Sequence, residues 1–343
     1  MLKQTKEMLE ALKRNEAYDE PVKEIKLIQT HISWVFLTGD FVYKIKKPVD
    51  FGFLDFTTLD KRKKFCKKEV DINKMFSPEI YLGFLPVNKF GDYSIKINGP
   101  GEAIDYAIKM KQLPQELLMD KLLDKNQVET KDIERIVDIL IKFYSKTQTF
   151  RDPHSIGSLE TVKFNWNENF KQTKPFIGKT IDKEMFEKIK QRIENFMDKN
   201  KDLFEKRLKE GFVKWCHGDL HSGNIFIIDE KVYIFDAIEF NERFACSDVA
   251  SDIAFLSMDL EFRKRKYLSE YLIRKYVEDT GDIDLEKLLD FYRCYRAYVR
   301  GKVIGFRIED PNIPDFEKKE AGDQAKVYFQ LAMGYAKNLQ DHQ

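Results

Sequence analysis

The chain is poor in cysteine, in histidine and in net charge, and it has no long apolar run. Its four cysteines, Cys66, Cys216, Cys246 and Cys294, are scattered with no Cys-x-x-Cys pair. That pattern excludes a cysteine zinc site and a disulfide framework, and it fits a reducing compartment. No stretch approaches the roughly 18 apolar residues of a membrane span, and the N-terminal "MLKQTKEMLEALKRNEAYDE" has no apolar signal core. A cytoplasmic protein with no membrane partner is therefore expected. Lys+Arg at 59 and Asp+Glu at 58 nearly cancel, so no overall field recruits nucleic acid. There are five histidines, His31, His154, His217, His221 and His342, and none between His221 and the C-terminal tail. This argues against a site of two histidines and one carboxylate, which usually draws a histidine from a distant strand.

An apolar fraction of 43% with 13% aromatics describes a folded globular chain, and 343 residues suffice for two lobes with separate cores. A short helix is expected over 3–14. "IKLIQ", "SWVFL" and "FVYKIKK" read as strands, with a hairpin at Thr38 to Asp40. "TLDKRKKFCKKEVDINKMF" reads as a helix capped by Thr58 or Asp60, with an imperfect apolar stripe of Phe65, Val70, Ile72 and Phe76. "YLGFLPV", "YSIKI" and "AIDYAIKM" follow as strands. After "KQLPQELL" the pattern turns helical, over about 130–150, 182–210, 265–280, 284–302 and 315–340, interrupted by the hairpin "IFIIDEKVYIFD". The expectation is an α+β chain of two lobes: a sheet-rich N-lobe with one helix (1–110), a hinge (111–114) and a mainly helical C-lobe (115–343).

The densest chemistry lies in "WCHGDLHSGNIFIIDEKVYIFDAIEF", residues 215–240. Asn224 leads into the first strand of a hairpin and Asp236 ends the second, and a hairpin brings its ends together. A carboxylate and an amide oxygen form a hard-oxygen pair suited to Mg²⁺, which shares the oxygens of a polyphosphate. Asp219, five residues before Asn224, would then act as a base or orienting group for an attacking hydroxyl. Asp and Asn are also ordinary turn formers; it is the spacing of the whole set that favours a site.

This segment resembles a known pattern. "His217-Gly-Asp219-Leu-His-Ser-Gly-Asn224" is similar to the catalytic loop H-x-D-L-x-x-x-N of protein kinases, and Gly218 with His221 bring it closer to the aminoglycoside phosphotransferase and choline kinase branch. The resemblance implies a bilobal protein-kinase-like fold with ATP, or alternatively GTP, and Mg²⁺ as cofactors. It puts Asp236 of "IFDAIEF" at the metal-binding Asp, although the Phe-Gly that follows in protein kinases is absent. It gives Asp252 of "DVASDIA" the task of tying down the catalytic-loop backbone or His217. In the N-lobe it matches a strand lysine of "FVYKIKK" to the phosphate-pairing lysine and Glu69 to its helix partner. Lys44 and Lys46 share a face under strand alternation, which leaves both as candidates; the apolar flanks in "VYKI" favour Lys44. "YAIKMKQLP" would be the last N-lobe strand and adenine hinge, lined through the backbone of Met110, Lys111 and Gln112.

"THISWVFLTGDFVYKIKKPVDFGFLDF" looks most like uncharacterised phosphotransferase-like enzymes often fused to a P-loop kinase domain. No G-x-x-x-x-G-K-[ST] occurs here, so any P-loop partner is expected as a separate protein. No G-x-G-x-x-G covers the phosphates either. The turn Thr30-His31-Ile32-Ser33 could replace it, with its N–H groups and the Thr30 and Ser33 hydroxyls, or it could be a plain hairpin turn. His154 in "RDPHSIG" reads as a loop residue before a substrate contact. "FNWNENF" around Trp166 reads either as core or as the wall of an acceptor pocket. The helical part mixes charges of both signs, which does not suit a polycationic aminoglycoside. A small hydroxylated molecule is the expected acceptor, ahead of a protein. The readings from other classes are a nucleotide-binding pseudokinase and an enzyme that transfers the adenylyl group.

Overall fold

The computed structural model describes residues 2–91, 94–311 and 313–339. Tyr93 and Gln340, at the ends of an expected strand and helix, lie outside them. The first elements are α1 (Leu2–Ala11), β1 (Lys26–Gln29), β2 (Ser33–Leu37), β3 (Phe41–Lys46), α2 (Leu59–Phe76), β4 (Tyr81–Phe90), β5 (Ser94–Ile97) and β6 (Glu102–Lys111). Then come α3 (Met119–Asp124), α4 (Thr130–Lys146), α5 (Leu159–Thr173), α6 (Lys183–Lys199), α7 (Lys201–Glu210), β7 (Val213–Trp215), β8 (Ile225–Ile228) and β9 (Lys231–Ile234). The chain closes with α8 (Glu242–Ala245), β10 (Cys246–Asp248), α9 (Val249–Phe262), α10 (Lys266–Thr280), α11 (Leu285–Gly305) and α12 (Asp315–Asn338). Two compact units result: Met1–Leu118 with Ile225–Asn241, and Met119–Asn224 with Glu242–Gln343. The α+β expectation of a sheet-rich first part and a helical remainder holds. No helix among the described residues is long and apolar enough to cross a membrane.

In the first unit six antiparallel strands run in the order β1-β2-β3-β6-β4-β5. Strand alternation sorts β3 into two faces. Tyr43 and Ile45 join Trp34, Phe36, Val87, Ile95 and Ile97 in a core with Met8 of α1 and Leu12 just beyond it. Lys44 and Lys46 take the opposite face, toward α2. The Thr58 hydroxyl caps α2 by accepting from the Lys61 N–H at 3.2 Å, so Thr58 and not Asp60 is the cap. The apolar stripe of α2 looked imperfect because its buried face includes Arg62, Glu69 and Asn73 beside Cys66 and Val70. Arg62 pairs with buried Asp105 at 2.8 Å. β8 and β9 pair from Ile225↔Ile234 to Ile228↔Lys231. Asp229 and Glu230 both have positive φ, as the tight two-residue hairpin turn demands.

The second unit is helical, with the short antiparallel pair β7–β10. The span 182–210, read as one helix, breaks at Asn200 into α6 and α7. Four helices, the short α3 and α8 and the longer α5 and α9, have no counterpart in the sequence reading. α9 is buried on every side from Val249 to Leu260, so it has no polar face to produce a helical period. α5 carries Trp166, which is fully buried against Phe170, Phe291, Tyr295 and Tyr298, deciding for core over pocket wall. His154 sits exposed in a turn where its N–H donates to Asp152 Oδ1 at 2.8 Å.

Asp248 fixes the start of α9, accepting from the Ala250 N–H at 2.8 Å. Buried Arg207 of α7 grips both its oxygens at 2.6 and 2.8 Å, and donates to Asp282 at 2.5 and 2.9 Å. Removing one partner of such a set strands buried charge. Arg207→Ala is therefore expected to cost about 3–5 kcal/mol of unfolding free energy, read by urea denaturation. A loss below about 1 kcal/mol, the scale of an exposed pair, would contradict it.

Candidate active site

Each unit carries one cluster of charged groups around residues singled out in the sequence. In the first unit the cluster is a line of five. Lys44 Nζ lies 2.8 Å from Glu69 Oε1 and 2.5 Å from Asp236 Oδ1. Lys46 Nζ lies 2.6 Å from Glu69 Oε2 and 2.5 Å from Glu239 Oε1. Both lysines thus pair with Glu69, one on each carboxylate oxygen, and strand alternation presented no choice between them. Side-chain exposure falls from 44% at Asp236 to 12% at Lys44, 0% at Glu69, 1% at Lys46 and 4% at Glu239. One end of the line opens outward and the other is sealed.

Electrostatics follow from this gradient. Burial pushes the Lys44 ammonium toward neutrality, but Asp236 and Glu69 outweigh it and keep its pKa well above the ordinary value. Burial alone would raise Glu69; the two lysines hold it down at about 2. Burial, with the nearby Glu69 charge, pushes Glu239 up to about 7 despite Lys46.

Asp236 is set by a backbone with φ of 64°, an uncommon conformation for a residue with a side chain. Its surroundings enforce it. The Asp236 N–H donates to Tyr81 Oη at 3.1 Å and the Ala237 N–H to Asn73 Oδ1 at 2.9 Å. Ser77 Oγ donates to the Ile234 carbonyl at 2.7 Å. α2 therefore supplies Glu69 to the lysines and Asn73 to the hairpin tail from one buried face.

Thr30, Ser33, Met110 and Gln112 stand apart from this line. Thr30 Oγ1 accepts from the N–H groups of Ile32 and Ser33 at 3.3 and 2.9 Å. The Ser33 hydroxyl is buried with no partner among the described residues. The Thr30 hydroxyl thus serves the turn, and the Ser33 side chain is buried in the sheet. Met110 pairs with Val42 and Tyr81 in the sheet and packs under α2. Gln112 accepts the Gly39 N–H on its Oε1 at 3.0 Å and donates its own N–H to the Asp40 carbonyl at 2.9 Å.

In the second unit the cluster is the loop between β7 and Asn224. Fully buried Asp252 of α9 accepts the His217 and Gly218 N–H groups on its two oxygens at 2.7 and 2.9 Å, and Tyr144 Oη donates to it at 3.1 Å. Arg296 donates to the Gly218 carbonyl at 2.6 Å. Gly218 has φ of 83°, which favours glycine there. His217 Nδ1 accepts the Asp219 N–H at 3.2 Å. Asp259 accepts from the Ser222 N–H and Oγ at 2.9 and 2.5 Å.

Asp219 itself is left outward, 39% exposed. Asn224 Nδ2 donates to its carbonyl at 3.0 Å and its Oδ2 at 3.2 Å, leaving Asn224 Oδ1 as the hard oxygen of that side chain. His221 Nδ1 accepts the Gly223 N–H at 3.1 Å, which puts the ring proton on Nε2, 3.5 Å from Asp219 Oδ2. The recess around Asp219 disfavours its charge, but His221, Arg300 and His217 overcome this and hold its carboxyl well below the usual range. Sequence reasoning missed Glu239, Tyr81, Asn73, Tyr144, Asp259, Arg296 and Arg300. Glu239 lies in the quoted "DAIEF"; the others come from distant elements whose approach only folding creates.

No family model matches the chain. Over 285 residues it is 29% identical to uncharacterized proteins of Mycobacterium tuberculosis and Mycobacterium bovis, covering 83% of this chain and 55% of theirs. The chain thus spans about half the length of the curated relatives it matches. Among solved structures it is similar to aminoglycoside 2'-phosphotransferase-IIIa in its GDP complex, with TM-score 0.56, 12% identity and 98% of each chain covered. It is similar to the choline kinase of Cryptosporidium parvum, with TM-score 0.54, 14% identity, and 93% of this chain and 90% of that one covered. It is also similar to a choline/ethanolamine kinase family protein from Mesorhizobium loti, with TM-score 0.52, 10% identity, and 98% and 100% covered. The chain has the fold of these phosphotransferases.

Glu239 generates a prediction about stability. Its ordinary pKa is 4.5 and its folded value about 7, so folding favours the protonated form. That stabilisation is complete below about pH 4.5 and lost as pH rises through about 7. The unfolding free energy of the wild type relative to Glu239→Gln is expected to fall across this window. Urea titrations at a series of pH values check it; a flat or rising difference would refute it.

Proposed function

We propose that this protein is an ATP- and Mg²⁺-dependent phosphotransferase that moves the γ-phosphate to a hydroxyl of a small molecule, with GTP as the alternative donor. The observation that carries the reading is Lys44, largely buried yet held between Glu69 and the outward-facing Asp236. A cation so placed is pre-oriented for the α- and β-phosphates at little reorganisation cost. Support comes from the fold: one solved relative is a GDP complex, and others are named choline kinases.

The donor set fits a divalent cation. Asp236 already holds one positive charge in the form of the Lys44 ammonium, and Asn224 is the residue that the sequence pattern offers as the second hard-oxygen donor. Mg²⁺ held by these two residues would neutralise charge on the transferring phosphates. Among the described residues no group of three or more His, Cys, Asp or Glu is arranged around a metal. A cation that takes its remaining oxygens from water and polyphosphate needs none.

Asp219 orients the acceptor hydroxyl. Its carboxyl stays ionised well below neutral pH, so it is a weak base in the ground state and gains the proton as the acceptor oxygen bonds to phosphorus. The bond from the γ-phosphorus to the bridging oxygen breaks, and the nucleoside diphosphate leaves. His217 and Asp252 hold the loop that carries Asp219. We assign Met110 and Lys111 at the end of β6, with Gln112 just beyond it, to the adenine. Thr30 and Ser33 lie at the turn expected to approach the phosphates, but the Thr30 hydroxyl is engaged locally and the Ser33 hydroxyl is buried, so the phosphate anchor rests on Lys44.

Asp219→Asn is expected to bind nucleotide normally and to lose about a hundredfold or more in turnover, measured with γ-labelled ATP and a panel of hydroxylated acceptors. Wild-type turnover in the variant would remove Asp219 from its role. Label passing from α- but not γ-labelled ATP would instead mean adenylyl transfer. Mg–ATP at a hundredfold excess over its dissociation constant should stabilise the wild type by about 2.7 kcal/mol. Asp236→Asn should lose that metal-dependent gain in a thermal melt. No gain in the wild type with ATP or GTP would overturn the nucleotide reading.

A further inference from the structure

The sealed end of the charge line has no part in the reaction above. Lys46 and Glu239 are both buried, and Lys46 also lies over the Phe56 ring at 4.8 Å. With exposures of 1% and 4%, neither side chain can touch a nucleotide. They are nonetheless joined to the proposed anchor through the second oxygen of Glu69. We propose that Lys46 and Glu239 are a positioning pair that locks the Glu69 carboxylate so that Lys44 is presented to the phosphates of the nucleotide. This inference rests on the nucleotide reading of Lys44.

A carboxylate with one partner can turn about its terminal bond, whereas one held at both oxygens cannot. Glu69 is held at both, at 2.8 and 2.6 Å. Charge balance explains why the second lysine needs its own carboxylate. With Glu239 ionised, Lys44, Lys46, Glu69 and Glu239 sum to zero, so the set then stays neutral when Lys44 leaves Asp236 for a phosphate. Without Glu239, Lys46 would draw on Glu69 alone and weaken its hold on Lys44. The groups facing this pair are Glu69 and Cys66 from α2 and Lys44 from β3, while Asp236 acts on Lys44. None of these but Glu69 contacts Lys46 within ion-pair distance among the described residues.

The test compares Mg–ATP with adenosine, which lacks the phosphates, by calorimetry on the full chain. The double variant Lys46→Met with Glu239→Leu replaces the pair by apolar groups, a change that buried ion pairs often tolerate. It is expected to lose about tenfold or more in Mg–ATP affinity, the scale on which orienting partners act, with adenosine affinity unchanged. Glu239→Gln, which preserves shape, should show a smaller loss with the same selectivity for the phosphate-bearing ligand. Unchanged Mg–ATP affinity in both variants overturns the proposal. Equal losses for adenosine and Mg–ATP also overturn it, since the pair would then only support the fold. If the wild type binds no Mg–ATP, the nucleotide reading falls first and this inference falls with it.

Discussion

The buried carboxylate of Glu69 is the interaction on which the first unit depends. A charge at zero exposure is costly unless its oxygens are matched, and here each oxygen meets an ammonium. The match requires two lysines two residues apart on one strand face, and a helix whose buried side faces them. It also dictates the neighbours. Two lysines on one carboxylate would leave excess positive charge, so Glu239 balances the inner lysine and Asp236 the outer. The outcome is graded: rigid and neutral inside, exchangeable at the surface.

The second unit uses a carboxylate in a comparable way. Asp252 is buried and gives both oxygens to backbone N–H groups of the loop, while Asp259 holds Ser222 three residues beyond Asp219. Asp219 escapes these bonds and remains exposed. In both units the buried acid fixes geometry, and a second, more exposed acid stands beside it. Arg207 stands behind this arrangement, because its grip on Asp248 fixes where α9 begins and hence where Asp252 sits.

Much of the fold was legible in the sequence. Strand alternation located β2, β3 and β6, and the helix over α2 was visible despite its weak stripe. What obscured that stripe was buried polar chemistry: Arg62, Glu69 and Asn73 occupy positions where an ordinary helix would bury leucine. α9 was hidden for the opposite reason, since a helix buried all round shows no period. The Asn200 break between α6 and α7 was invisible because helical pattern continues on both sides of it.

The resemblance to kinases supplied the pairing of a strand lysine with a helix glutamate as an expectation; the sequence by itself determined the α+β division and the spacing of His217, Asp219 and Asn224. These are local in chain distance or carried by strand and helix periods, so they survive without contacts. Only the tertiary structure decided that Lys44 and Lys46 share Glu69, that Glu239 closes the line, and that Tyr81 and Asn73 hold the Asp236 backbone. Those contacts join residues 23 to 193 positions apart. Alternation states which face a side chain takes, but which oxygen it meets depends on how far a helix lies from a sheet, and packing alone determines that distance.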